Sequence, residues 1–193
     1  MITGLVMAGG RGLRMGGIDK GLQKFRGLPM VARVIGRLKP QVDQLIINAN
    51  QNLDVYRVFG QPVVADAMPD FAGPLAALQT GLMHCATPYL VTVPCDSPFL
   101  PSDLVARLYL ELAIHEADVA FATTGSGNDA QSHPVFSLVK TSVLPSLNTF
   151  LQAGGRKVDA WHASVKAVAV YFDDDMAFRN INTLDDLTKF EAS

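Results

Sequence analysis

The chain has 193 residues, 49% of them hydrophobic and 18% charged, which suits one domain with a substantial core and excludes global disorder. Sixteen Lys and Arg against eighteen Asp and Glu leave a formal charge of −2, so a broad basic footprint for nucleic acid or an anionic membrane is excluded. Cys85 and Cys95 are too few for a disulfide framework and lack metal-ligand spacing.

No apolar run reaches the ~18 residues of a membrane span, and Met1-Ile2-Thr3-Gly4 carries no basic leader. The expectation is a soluble, cytoplasmic α/β protein. Leu5-Val6-Met7-Ala8 is apolar without alternation, as in a strand buried on both faces. It runs into Gly9–Gly17, whose five glycines no helix or strand interior tolerates, so this segment is a loop. Pro29 is placed to open a helix carrying Val31, Val34, Ile35 and Leu38 at helical spacing, and Pro40 ends it. Leu45–Ile47 and Val63–Val64 read as short core strands, the first ending at Asn48 and the second at Asp66.

Gly73-Pro74 introduces a helix bearing Leu75, Leu78, Leu82 and Met83. Tyr89–Val93 is the clearest strand and delivers Pro94-Cys95-Asp96 to its carboxyl end. Ser102 is the expected N-cap of a helix through Leu112, with Asp103 in its first turn. Past residue 117 the pattern changes. Val119–Ala122 and Val135–Val139 flank a polar hairpin or extended loop, a helix follows over 142–151, and Val165–Phe172 is a last strand. Thr183 and Asp186 have capping-box spacing for a terminal helix. The pattern predicts one domain over 1–193, with three αβα layers and a mostly parallel central sheet. Residues 1–117 form a Rossmann-like half, and 118–193 a small mixed-sheet elaboration with the terminal helix.

Glycines let backbone N–H groups approach phosphates, while Arg14 offers a planar fork of donors and Lys20 a compact charge. The loop is neither a Walker A sequence nor a Gly-x-Gly-x-x-Gly fingerprint, and the residues alone also allow a surface loop with scattered cations. Asp66 and Asp96 follow strands at the sheet end where ligands of open α/β sheets bind. A short carboxylate there can hold a hard cation, or simply shape a turn.

The segment Leu5-x-Met7-Ala8-Gly9-Gly10-x-x-x-Arg14-Met15-Gly16-Gly17-x-Asp19-Lys20-Gly21 resembles the signature of nucleotidyltransferases that activate small phosphorylated molecules, and more narrowly the molybdenum cofactor guanylyltransferase family. That resemblance implies transfer of GMP from GTP to the terminal phosphate of molybdopterin, with release of pyrophosphate and use of Mg²⁺. It implies nucleotide binding by Met7, Ala8, Gly9, Gly10, Lys20, Asn48, Asp66 and Asp96, and a catalytic set of Asp96, Lys20 and Arg14. Pro94-Cys95-Asp96-Ser97-Pro98 is similar to the family's magnesium-binding segment, which makes Asp96 the metal ligand. Met7 replaces the family's usual Leu, Gly12 a small polar residue, and Ala72 a Pro.

Ser132-His133-Pro134, Arg156-Lys157-Val158 and Asn180-Ile181-Asn182 resemble, in the same order, elements on the family's pterin side. The resemblance thereby spans about residues 5–190 and implies acceptor contacts from His133, Arg156, Lys157, Asn180 and Asn182. On residue type alone these are also a core histidine, a solvated loop and turn asparagines. The implied partners are GTP and molybdopterin, with transient contact to cofactor-biosynthesis proteins or molybdoenzyme chaperones, and the expected state is a monomer. The alternatives are the cytidylyltransferase counterpart, another small-molecule-phosphate nucleotidyltransferase, or a nucleotide-binding adaptor without turnover.

Overall fold

Strand β1 (Ile2–Met7) is parallel to β4 (Gln44–Asn48) on one side and to β6 (Tyr89–Pro94) on the other. This explains the apolar run Leu5–Met7. Leu5 packs into one core and its neighbour Val6 into the opposite one, both with no exposed surface. The computed structural model describes residues 1–9, 19–67, 73–182 and 184–191. Strand β5 (Val63–Val64) lies at one edge beside β4. Beyond β6 come β8 (Gln131–Lys140), β7 (Val119–Thr124) and β9 (Ala167–Tyr171), giving the order β5-β4-β1-β6-β8-β7-β9. Strand β8 is antiparallel to both neighbours, while β7 and β9 are parallel. The mixed elaboration is therefore continuous with the main sheet.

Two helical layers cover the sheet. Helices α1 (Met30–Leu38), α2 (Leu53–Arg57) and α4 (Leu104–Ile114) bury Val34, Tyr56 and Leu108 on one face. Helices α3 (Pro74–His84), α5 (Leu144–Gln152) and α6 (Val158–His162) bury Leu78, Leu147 and Trp161 on the other. No described helix is long and apolar enough to cross a membrane.

The helix expected to open at Pro29 begins at Met30. Pro29 instead pairs with Lys24 in a hairpin of β2 (Lys24–Phe25) and β3 (Leu28–Pro29) that periodicity does not reveal. Its turn residues Arg26 and Gly27 both have positive φ, 47° and 79°, the backbone whose twist suits a two-residue hairpin. Phe25 and Met30 pack there against Ile181 and against Phe190, the latter from the terminal helix α7 (Leu184–Glu191). Ser102 is not the cap of α4. The helix starts at Leu104 after Asp103, which makes no side-chain cap bond, and Gln41 Oε1 accepts from Val105 N at 3.1 Å. An element remote in sequence thus satisfies a donor that a local cap would have taken. Thr183 lies outside the described residues, and Asp186 Oδ2 accepts from Asn182 N at 3.1 Å.

Candidate functional site

The carboxyl end of β1 sits between two neighbours: Ala8 N donates to Asn48 O at 2.7 Å, and Cys95 N to Met7 O at 3.0 Å. Met7, Ala8 and Gly9 are therefore held from both sides where the glycine-rich segment departs. Gly9 has a packing reason to be glycine. A Cβ there would lie 2.8 Å from both Asn48 Oδ1 and Asn50 Nδ2, closer than real Cβ contacts allow. Gly10 and Arg14 lie outside the described residues.

Asn48 is fully buried, and its Nδ2 donates to Asp66 Oδ1 at 2.8 Å. Asn50 Nδ2 bonds the other carboxylate oxygen at 2.7 Å, and Thr80 Oγ1 approaches Oδ1 at 3.4 Å. Asp66 is thereby fixed in orientation. Asn48 Oδ1 is buried without a hydrogen-bond partner among the described residues, an unmet acceptor directed at Gly9.

Where the chain is described again, Lys20 starts a short 3-10 turn, Lys20–Leu22, beneath the end of β6. Lys20 Nζ donates to Asn182 Oδ1 at 2.7 Å and lies 3.6 Å from Asp96 Oδ2. Asp96 is 9% exposed, and its carboxyl pKa is raised by burial against the opposing pull of Lys20. A buried carboxylate of this kind gains from a nearby cation. Asp96 O accepts from Ile181 N at 2.9 Å and Ser97 Oγ donates to Asn180 Oδ1 at 2.6 Å, so residues 180–182 are bound to the end of β6.

Residue types and spacing did not single out four supporting residues. Asp19 is buried, with Tyr56 Oη donating to its Oδ1 at 2.6 Å and Asn52 Nδ2 to its Oδ2 at 3.0 Å. Burial drives the Tyr56 phenol far above its ordinary pKa, with help from Cys95 and Asp19. With Asn50, these residues form the scaffold around Gly9 and Lys20. The available sequence signal was the alternation Asn48-x-Asn50-x-Asn52 at a strand end.

His133 lies on β8 at the same end of the sheet, paired with Ala122. The register shifts between Phe121 and Ala122, opposite the part of β8 containing Pro134, which cannot donate to the ladder. His133 Nε2 is 2.8 Å from Thr124 Oγ1, and its ring stacks on Phe178 at 4.8 Å. Burial lowers its pKa, opposed by Asp175. Arg156 Nη1 donates to Leu151 O at 3.1 Å and Gly155 O at 2.6 Å at the end of α5, and Lys157 caps α6 through its backbone. Thus Met7–Gly9, Asn48 and Asp66 form one cluster, and Lys20, Asp96 and Asn182 another, with Asn180 beside it. His133 reaches the 180–182 segment through Phe178, while Arg156 and Lys157 stand on a separate connection.

A family model described as the MobA-like NTP transferase domain matches residues 4–166. The chain is 57% identical over 186 residues to a Bordetella petrii protein named molybdenum cofactor guanylyltransferase, covering 96% of this chain and 95% of that one. A Cupriavidus necator protein of the same name is 54% identical over 192 residues, covering 99% and 96%. The crystal structure of molybdopterin-guanine dinucleotide biosynthesis protein A from Archaeoglobus fulgidus superposes with a TM-score of 0.78 at 21% identity, covering 100% of this chain and 97% of that one. The last likeness concerns the fold.

Proposed function

The chain belongs to the MobA-like NTP transferase domain family, and from that premise we propose that it transfers GMP from GTP to the terminal phosphate of molybdopterin, forming the guanine dinucleotide cofactor. The observation that carries this reading is the meeting of Lys20 with Asp96, 3.6 Å apart at the end of the central strand β6. It joins a lysine cation suited to phosphates with a buried carboxylate suited to a hard metal ion.

In this reading a phosphate oxygen of molybdopterin attacks the α-phosphorus of GTP, and the bond from that phosphorus to the bridging oxygen breaks as pyrophosphate leaves. The protein needs no covalent nucleophile. Its work is positioning and charge compensation. Lys20, oriented by Asn182, faces the outer phosphates, and Arg14 adds a second phosphate ligand from the glycine-rich segment. Asn48 and Asp66 hold the nucleoside, with Met7, Ala8, Gly9 and Gly10 forming the backbone cradle. His133, Asn180 and Asn182 form the acceptor side, with Arg156 and Lys157 contributing to it from their separate connection before α6.

Magnesium suits the donor chemistry, and Asp96 would hold it. No three His, Cys, Asp or Glu side chains are placed to hold a metal ion among the described residues, and Mg²⁺ commonly uses one or two carboxylates with phosphates and water completing its shell. When bound, it would supply charge compensation and alignment of the phosphates. Asp96 contributes a carboxylate whose burial already favours a neighbouring cation.

Pyrophosphate release, measured with GTP, CTP, ATP and UTP against molybdopterin and simple sugar phosphates, tests the reading. Release with GTP and molybdopterin alone is expected. Preference for CTP would transfer the chain to cytidylyl chemistry, and tight GTP binding without release under any pairing would make it a binding protein.

A further inference from the structure

Three asparagines stand at alternate positions where β4 runs into α2, and only Asn48 has been given a role toward the nucleotide. Asn50 uses its whole amide. Its Nδ2 donates to Gly9 O at 3.2 Å and Asp66 Oδ2 at 2.7 Å, and its Oδ1 accepts from Asp66 N at 2.8 Å. Asn52 occupies the N-cap position of α2 yet makes no side-chain cap bond. Asparagine at that position ordinarily bonds the first turn of its own helix. Here Nδ2 goes instead to Asp19 Oδ2 at 3.0 Å, with the backbone in the left-handed region at φ 53° and ψ 34°.

Gly9 and Asp19 are the residues bordering 10–18, the stretch holding most of the glycine-rich segment and Arg14. The four-residue connection 49–52 therefore holds both border residues. The grip at the far border is reinforced by Tyr56, which donates to Asp19 from α2 itself. Asp19 precedes Lys20 directly, and Asn50 joins Gly9 to Asp66. We propose that Asn50 and Asn52 are positioning residues that pin the two borders of the glycine-rich segment before nucleotide binds.

This proposal rests on the nucleotide-transfer reading above. Fixing Gly9, Asp66, Asp19 and Lys20 in advance lowers the conformational cost of binding a nucleotide. The two grips act on different parts of the nucleotide. Asn52 works through Asp19 on Lys20 and the outer phosphates. Asn50 works through Asp66 and Gly9 on the portion shared by GTP and GMP.

The test is calorimetric titration of the full chain with GTP and with GMP, alongside thermal melting, for the parent protein, Asn50→Ala and Asn52→Gly. Glycine is chosen at 52 because it adopts positive φ without strain, so only the side-chain bond is removed. Asn52→Gly should weaken GTP about 5–10-fold and GMP less than about 2-fold, and Asn50→Ala should weaken both about 5–10-fold, the scale of one or two hydrogen bonds. Asp19→Asn, nearly isosteric, should reproduce the GTP-selective loss and serves if Asn52→Gly does not fold. Parent-like GTP affinity in both asparagine variants would overturn the proposal while leaving the transferase reading intact. So would equal loss of GTP and GMP in both Asn52→Gly and Asp19→Asn. A parent protein that binds no GTP would remove the transferase reading and this proposal with it.

Discussion

The two halves of the sheet surround their titratable side chains differently. At the carboxyl ends of β5, β4, β1 and β6, three described acidic side chains are met by partners from elsewhere in the chain: Asp66 by Asn48 and Asn50, Asp19 by Tyr56 and Asn52, Asp96 by Lys20. Among β8, β7 and β9, two histidines are packed against rings. His133 stacks on Phe178, and His162 lies 4.9 Å from Phe121 and 5.5 Å from Trp161, centroid to centroid. Both His162 nitrogens and Trp161 Nε1 are buried without a hydrogen-bond partner among the described residues. The first half therefore holds charge in defined orientations, which suits binding of phosphates and cations. In the second, burial lowers the pKa of both imidazoles, which ties their charge to acid.

The largest effect that would break this contrast lies at Asp96. Asp96→Asn keeps shape and removes charge, so kcat should fall by about 100–1000-fold, the scale of a well-placed electrostatic contact. Metal-free GTP binding should persist or improve, because a carboxylate repels phosphates when no cation intervenes. Turnover across a Mg²⁺ titration, with melting to confirm the fold, decides the matter. Near-normal kcat with an unchanged Mg²⁺ requirement would remove Asp96 from the metal site.

His162 sharpens the other side. Burial pushes its pKa down to about 4, with Asp159 opposing. The unfolded chain, with an imidazole near its ordinary 6.5, binds the proton first as pH falls. Stability is therefore undiminished above about pH 6.5, and about 3 kcal/mol is lost as pH drops from there toward 4. His162→Leu should flatten that part of the profile. Urea unfolding of both proteins at pH 7 and pH 4.5 measures the difference, and parallel profiles would show that the ring is not held neutral.

Lys20→Ala should weaken GTP by about 10–150-fold, for a lost charge-assisted bond worth about 1.5–3 kcal/mol, and should weaken GMP far less. Equal losses on titration would place Lys20 away from the outer phosphates. The smallest effect is expected at Thr124, whose hydroxyl lies 2.8 Å from His133 Nε2. Thr124→Val should cost about 1 kcal/mol of stability and leave GTP affinity unchanged. A fall in GTP affinity in that variant would mean that the two halves are coupled more closely than their contacts indicate.

Much of this protein was readable one segment at a time. The strands around Leu5 and Val91 are apolar on both faces because helices cover both sides of the sheet, and such runs leave a local trace. The carboxyl end of a parallel strand likewise distinguished Asp96. The β2–β3 hairpin escaped because two-residue strands have no measurable period, and Arg is an unusual choice for its left-handed turn position. The insertion of β8 between β6 and β7 escaped because alternation records which faces are buried and not which strand lies alongside. Likewise, no local rule brings Asn182 to Lys20, Gln41 to the start of α4, or Asn52 away from its own helix to Asp19. Residue type and spacing determined what chemistry each segment could offer. Which donor meets which acceptor was decided by tertiary packing, because a hydrogen bond depends on a few ångströms of separation in space and is blind to separation along the chain.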